Sequence, residues 1–218
     1  MPQPALREIS PLVDITNKED DNYMRVEQYV MAYKVEQDRI RAMLPVGFES
    51  LRPVLRFNAE IRDDNTFYIE LNTPVDAYGK KGWLNIAYWN SSEDHIRCEK
   101  NGSKTTFITD FLRLSFIGVG ILGGCPAENS NDGCFYGINI DSLVIPEQIN
   151  VRKEFCDGEF AFCYSSNDAY GESYGGKTLP ATPEESKTVY PKVELTAENA
   201  AKIKCEQMLG QYKVVFDR

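Results

Sequence analysis

Residues 109–136, TDFLRLSFIGVGILGGCPAENSNDGCFY, contain the longest apolar run of the chain and end in a loop rich in glycine, asparagine and acidic residues. A segment that is apolar on every side is buried on every side. The apolar part, at about 14 residues, is too short to span a bilayer, which takes roughly 20. We therefore expect a helix, or a helix followed by a strand, through the middle of a soluble domain. Its glycines weaken the helix by ~1 kcal/mol each relative to alanine, and close approach of backbone or ligand is a reason to keep them.

Polar residues follow this run directly after Cys125-Pro126. Glu128 and Asn129 come first, and Tyr136 lies in the next extended stretch, predicted as a strand over 134–140. Polar groups that follow a buried element directly are where small-molecule sites are often built. The sequence therefore predicts a candidate site at this boundary, and the alternative is a core helix followed by a plain surface loop.

On the N-terminal side of the run, the pattern predicts mainly strands. Asn101-Gly102 between two extended stretches is a strong hairpin signal, and residues 83–89, WLNIAYW, form an aromatic strand. Residues 53–61 and 66–71 are further strands, 36–44 is a short helix ended by proline, and 23–35 is a strand by its alternation. Residues 1–22 are a polar lead-in.

On the C-terminal side, Asp157-Gly158 predicts a second hairpin between strands 151–156 and 159–164. Residues 165–183 form a long loop rich in glycine, serine and tyrosine, either a lid or a simple surface excursion. A helix is predicted over 197–209, followed by a strand over 211–216. Together these elements predict one α+β domain over 1–218, an antiparallel-rich barrel or sandwich with two or three helices.

Composition excludes several classes of function. The net charge of −9 argues against nucleic acid and against anionic membrane surfaces as partners. None of the six cysteines forms a C-x-x-C pair, and the single histidine, His95, lies in a polar stretch, so we predict no metal site and no cofactor. The N-terminus lacks the pattern of a signal peptide, which predicts a cytoplasmic protein with reduced cysteines.

Two stretches resemble the acetoacetate decarboxylase-like superfamily. Residues 29–50, YVMAYKVEQDRIRAMLPVGFES, resemble the family's opening strand and short helix ending in Leu-Pro-x-Gly. The apolar run over 108–126, preceded by WLNIAYW, resembles the family's apolar helix that ends in a glycine-rich turn and a proline. The likeness covers about residues 23–145. It implies a closed, cone-like antiparallel barrel around a small apolar cavity, and a homo-oligomer.

The resemblance also implies a chemistry, and here the sequence departs from it. Decarboxylases of the family use a buried lysine, in a Pro-Lys-Lys motif after the helix, to form a Schiff base with a β-keto acid. This chain has Pro126-Ala127-Glu128 instead. Lys80-Lys81 and Lys104 stand in stretches where a solvated lysine is expected.

Two hypotheses follow from the resemblance. In the first, the chain is a divergent lyase that lacks the Schiff-base lysine, with Glu128 as the acid/base group. In the second, it is a non-catalytic barrel that binds a small keto acid or related apolar acid. In either, the resemblance implies a pocket shaped by Trp83, Asn85, Asn129 and Tyr136, with Arg25 near an anionic ligand. A lysine pointing into the cavity would favour the first, and a cavity that is wholly apolar or lined by Asn and Glu would favour the second.

Overall fold

The computed structural model describes residues 24–77, 79–128, 148–162, 182–183 and 188–217, with the backbone alone for 124–128 and 148–150. These residues form ten strands and two short helices. The strands are β1 Arg25–Lys34, β2 Phe48–Ser50, β3 Val54–Arg62, β4 Phe67–Ala77, β5 Lys80–Asn90, β6 Arg97–Asn101, β7 Lys104–Ile108, β8 Leu112–Glu128, β9 Gln148–Phe162 and β10 Gln207–Asp217. The helices are α1 Gln37–Met43 and α2 Ala197–Ala201.

All ten strands belong to one antiparallel sheet. Its hydrogen-bonded order is β2-β4-β3-β1-β10-β9-β8-β7-β6, and β5 pairs with β4. The predicted α+β class, rich in antiparallel sheet, is therefore confirmed.

Among the described residues, no hydrogen bonds join β6 back to the other end of the sheet. The closed barrel is thus not confirmed.

The hydrophobic core lies between the two halves of this curled sheet. The ring of Tyr29 on β1 lies 5.4 Å from that of Phe107 on β7 and 5.2 Å from that of Phe116 on β8. Strands β1 and β7 are not neighbours in the sheet, so this contact requires the sheet to fold over on itself. Deeper in the core, the fully buried Phe57 packs against Phe160, with 5.4 Å between ring centres.

Glu27, Lys100 and Lys213 form a charged cluster at one edge of the core. The carboxylate of Glu27 on β1 accepts hydrogen bonds from Lys100 at 3.1 Å and lies 3.1 Å from the ammonium of Lys213. Burial pushes the pKa of Glu27 upward, but the hydrogen bonds and charges of the two lysines outweigh it and hold that pKa below its ordinary value of 4.5.

The apolar run that opens the sequence argument is a strand and not a helix. Strand β8 extends without a helical turn over Leu112–Glu128 and pairs with β7 on one side and β9 on the other. The predicted burial also fails beyond Phe116, because the side chains of Ile117 and Ile121 are 41% and 61% exposed. Repeated glycines penalise a helix here, whereas the two flanking strands satisfy the backbone of an extended chain.

Two further predictions are wrong: the hairpin turn at Asp157-Gly158 and the length of the helix that begins at Ala197. Asp157-Gly158 is not a hairpin turn, because Gly158 lies within β9, where it pairs with Phe116. A Cβ atom at Gly158 would overlap the backbone oxygen of Ser115, so this glycine serves close packing of neighbouring strands. The predicted helix over 197–209 ends at Ala201, and its last three residues, 207–209, belong to β10. Neither described helix has the length and apolar character needed to cross a membrane.

Candidate active site

The candidate site is built on the face of β3, β4 and β5 that points away from the aromatic core. Successive strand residues alternate between the two faces of a sheet. Leu55, Phe57 and Ala59 therefore face the core, while Arg56 and Asn58 face the opposite side. This second face is also buried, and it is polar. Its most buried members are Asn58 at 2%, Glu60 at 0%, Glu70 at 0%, Asn72 at 0% and Asn85 at 5% exposure.

Glu70 is the centre of this face. One carboxylate oxygen accepts from the amides of Asn58 at 2.7 Å and Asn72 at 3.0 Å. The other accepts from the Tyr68 hydroxyl at 3.3 Å and the Asn85 amide at 3.5 Å. A fully buried carboxylate is costly unless its oxygens are hydrogen-bonded. Here donors from three strands hold the group at a fixed position, which suits a ligand-binding or proton-transfer centre.

Two amide oxygens at this centre have no partner. The Oδ1 atoms of Asn58 and Asn85 are buried and make no hydrogen bond with any described residue. Leaving a buried acceptor unsatisfied costs about 1–3 kcal/mol, so native proteins rarely carry such atoms without a reason. Both oxygens belong to residues whose Nδ2 atoms bond to Glu70. The pair therefore offers acceptors for a hydrogen-bond donor that comes from outside the protein.

A β-bulge in β5 brings Asn85 to this face. Leu71 pairs with Ala87 and Asn72 with Asn85, which leaves Ile86 as an extra residue on β5. Asn85, which precedes the bulge, points to Glu70. Trp89, which follows the bulge and is four residues further along the strand, packs in the core instead. Bulges redirect side chains in this way and are common beside functional sites. Without the extra residue, strict alternation would put Asn85 and Trp89 on one face.

Two arginines and a tryptophan continue the site from Asn72. The guanidinium of Arg56 donates to Asn72 Oδ1 at 2.9 Å and lies 3.6 Å from the centre of the Trp83 ring. The guanidinium of Arg52 lies 5.7 Å from the same ring centre. Burial, and next the positive charge of Arg56, lowers the pKa of Arg52. No carboxylate among the described residues forms an ion pair with Arg52, so this half-buried cation is available to an anion.

A second buried carboxylate lies beside this centre on β3. Glu60 accepts from the Gln28 amide at 3.4 Å and from Arg62 Nε at 3.2 Å. Glu60 therefore contacts an amide and a cation, whereas the hydrogen bonds described for Glu70 come from three amides and a hydroxyl.

The residues predicted from sequence divide into three groups. Trp83 and Asn85 lie at the site just described. Arg25 begins β1 with an exposed side chain, and its described hydrogen bonds join its backbone to Asp63, away from the Glu70 centre. The side chain of Glu128, together with Asn129 and Tyr136, lies outside the described residues, and so does the loop over 165–181.

The lysines considered from sequence do not reach this centre. Lys80, Lys81 and Lys104 are exposed, as expected for solvated positions. Every hydrogen bond described for the Glu70 carboxylate comes from an amide or a hydroxyl and none from a lysine. Within the described part of the chain, no group of three or more metal-ligating side chains comes together.

No family model and no curated protein matches the sequence. The fold, however, is similar to solved structures. Acetoacetate decarboxylase from Legionella pneumophila subsp. pneumophila str. Philadelphia 1 matches with 10% identity and a TM-score of 0.50, over 99% of this chain and 88% of that one. A second acetoacetate decarboxylase matches with 10% identity and a TM-score of 0.49, over 89% and 85%. The enduracididine biosynthesis enzyme MppR complexed with pyruvate matches with 10% identity and a TM-score of 0.48, over 89% and 86%.

At this identity, the likeness to the Legionella enzyme concerns the fold alone. It agrees with the resemblance noted in the two sequence stretches, and it extends that likeness from residues 23–145 to almost the whole chain. The chain has the fold of acetoacetate decarboxylase.

Proposed function

We propose that this acetoacetate decarboxylase-like protein binds a small keto acid, or a related hydroxy or enol acid, on the buried polar face centred on Glu70, without Schiff-base catalysis. The observation that carries the proposal is the pair of unpartnered oxygens on Asn58 and Asn85, beside a carboxylate that amides hold in place. A cluster that served stability alone would gain by satisfying those oxygens.

The acid group of the ligand is assigned to the arginine end of the face. Arg52 and Arg56 flank the Trp83 ring, and two adjacent like charges repel each other until an anion lies between them. Guanidinium groups recognise carboxylates in a planar, two-pronged geometry.

The other end of the ligand is assigned to the amide oxygens. Asn58 and Asn85 offer only acceptors there, so they favour a hydroxyl, an enol or a hydrated carbonyl, each of which can donate. A small acid with an oxygen group a few bonds from its carboxylate meets both demands.

A divergent lyase remains a second candidate, and Glu70 is the residue that would serve it. A carboxylate that is fully buried beside a bound ligand is suited to moving a proton on or off an enolisable carbon. In this version Glu70 takes the acid/base role that the sequence argument gave to Glu128.

Titration calorimetry with pyruvate and acetoacetate tests the binding proposal. We expect saturable binding to the wild type and a loss of about 1.5–3 kcal/mol, roughly 10–150-fold in Kd, for Arg52→Gln. Arg97→Gln is the matched control, because Arg97 is an exposed arginine on β6. Equal affinities of wild type and Arg52→Gln, or no binding of either acid, would contradict the proposal.

Two further measurements separate binding from catalysis. Intact mass after incubation with either acid and borohydride should be unchanged, and a covalent adduct would establish an amine nucleophile and refute the absence of Schiff-base chemistry. Proton NMR in deuterium oxide reports exchange at the carbon next to the keto group. Exchange that Glu70→Gln abolishes would identify a divergent enzyme, whereas no exchange above the solvent rate would leave a binding protein.

A further inference from the structure

We propose that a second pocket, separate from the polar face, binds a small amphipathic monocarboxylate. The pocket lies between α1, α2 and the extended segment 188–195, and its volume is about 300 Å³. This is at the lower end of the range for ligand pockets, about 300–1,000 Å³. None of its lining residues belongs to the Glu70 site, so the two sites can be tested independently.

Hydrogen bonds within the chain hold the walls of this pocket in place. Lys192 on the extended segment donates to the backbone oxygens of Arg41 at 2.9 Å and Leu44 at 3.2 Å, at the end of α1. The backbone amide of Val193 donates to the oxygen of Ala42 at 3.1 Å. These bonds fasten the segment to the helix, so a ligand would meet a surface that is already in place, which lowers the entropic cost of binding.

The floor of the pocket is apolar. Ala42, Met43 and Ile203 are buried along it, while Val193 is 45% exposed at its edge. A carbon chain or ring seated there would remove apolar surface from water on both partners, which is the main favourable term in binding apolar groups.

The rim of the pocket is positively charged. Lys202 and Arg39 line it; Glu36, outside the lining, forms an ion pair with Arg39 at 3.5 Å and accepts a hydrogen bond from the Tyr190 hydroxyl at 2.7 Å. The ammonium of Lys202 bonds to Asn199 Oδ1 at 3.0 Å, and none of the described carboxylates pairs with it. Arg39 lies 3.6 Å above the centre of the Tyr190 ring. Because Glu36 offsets the charge of Arg39, Lys202 is the described rim cation left to face an anion, and it reverses the local sign in a chain with a net charge of −9.

This combination selects one class of ligand. A cation would be repelled at the rim, and a small dianion such as phosphate would find no polar groups on the floor. A neutral hydrocarbon would partly desolvate Lys202 without compensating its charge. An acid with one carboxylate and a short apolar chain or ring satisfies the rim and the floor together.

Titration calorimetry of the full chain with octanoate tests this proposal. We expect saturable binding at low ionic strength that weakens as salt is added, because the rim charges are exposed and therefore screened. Lys202→Gln should weaken binding about 3–5-fold, the usual size for an exposed charge pair. Lys204→Gln is the matched control, since Lys204 is an exposed lysine two residues along that does not line the pocket.

Other results would overturn the proposal. Octylamine should not compete with octanoate, and equal binding of the amine would mean that charge plays no part. The absence of saturable binding, or the same affinity in Lys202→Gln as in wild type, would remove the site. Binding that Arg52→Gln abolishes and Lys202→Gln leaves intact would place octanoate at the Glu70 face, refuting this pocket while supporting the proposed function.

Discussion

Replacing Glu70 by leucine is the sharpest test of the buried polar face. The change removes the acceptor of two short hydrogen bonds, from Asn58 at 2.7 Å and Asn72 at 3.0 Å. Each buried donor left without a partner costs about 1–3 kcal/mol, so the two together should lower the free energy of unfolding by about 2–6 kcal/mol. The two longer bonds, from Tyr68 and Asn85, are omitted from this range because they are weaker.

Glu70→Gln should cost less, for a reason specific to this site. Its remaining oxygen can keep the two short bonds, and its new NH₂ group then faces Asn85. Asn85 can turn its amide so that Oδ1, which has no partner, accepts from that group. We expect a loss of about 1–2 kcal/mol, because a neutral acceptor replaces a charged one.

Urea unfolding followed by circular dichroism measures both variants. In the triple variant Asn58→Leu, Glu70→Leu, Asn72→Leu, donors and acceptor disappear together, so part of the stability lost in Glu70→Leu should return. If Glu70→Leu were as stable as wild type, or no less stable than Glu70→Gln, the amides would be satisfied without the carboxylate and the account of the site would be wrong.

Three other predictions concern the fold. Gly158→Ala should lower the free energy of unfolding in urea by about 1–3 kcal/mol, because the new Cβ meets the backbone oxygen of Ser115, which cannot easily move. Gly123→Ala should cost less, because its Cβ meets only the side chain of Phe155. Phe57→Ala should cost about 3–5 kcal/mol in the same assay, and Tyr88→Ala, at a 43% exposed site, should cost far less. Glu27 has a lowered pKa when folded, so its contribution to stability is present above its ordinary pKa of 4.5 and is lost as the pH falls through the folded value. Wild type should therefore lose more stability than Glu27→Gln between about pH 5 and about pH 3, and parallel losses would show that the two lysines do not act through this carboxylate.

Local chemistry explains which elements could be predicted. The predicted hairpin is confirmed between β6 and β7; its two turn residues are Gly102, at φ 60°, and Ser103, because Asn101 already pairs with Lys104. The strand predicted over 23–35 is confirmed as β1, and its alternate residues Tyr29, Met31 and Tyr33 pack in the core. An apolar run such as β8 carries no such information, since a buried helix and a buried strand look alike when no period is present.

The site was harder to predict than the fold. Trp83 and Asn85 were found through the family resemblance, although the bulge at Ile86 that aims Asn85 leaves no mark in the sequence. Asn58 and Glu70 were missed because they alternate with apolar residues, the pattern of a strand whose polar face meets water. Only the three-dimensional arrangement shows that this polar face is itself buried.

The pairing of β1 with β10 has a consequence for how the chain is made. Strand β1 pairs with β3 on one edge and with β10 on the other. In the second pairing, Arg25 lies opposite Asp217. The ribosome releases β1 and β3 early, but β10 emerges last. At about 5–20 residues per second, synthesis of residues 35–206 takes roughly 10–35 s. During that interval one edge of β1 has no native partner, so protection of this nascent edge by a chaperone would be most valuable before β10 has been synthesised.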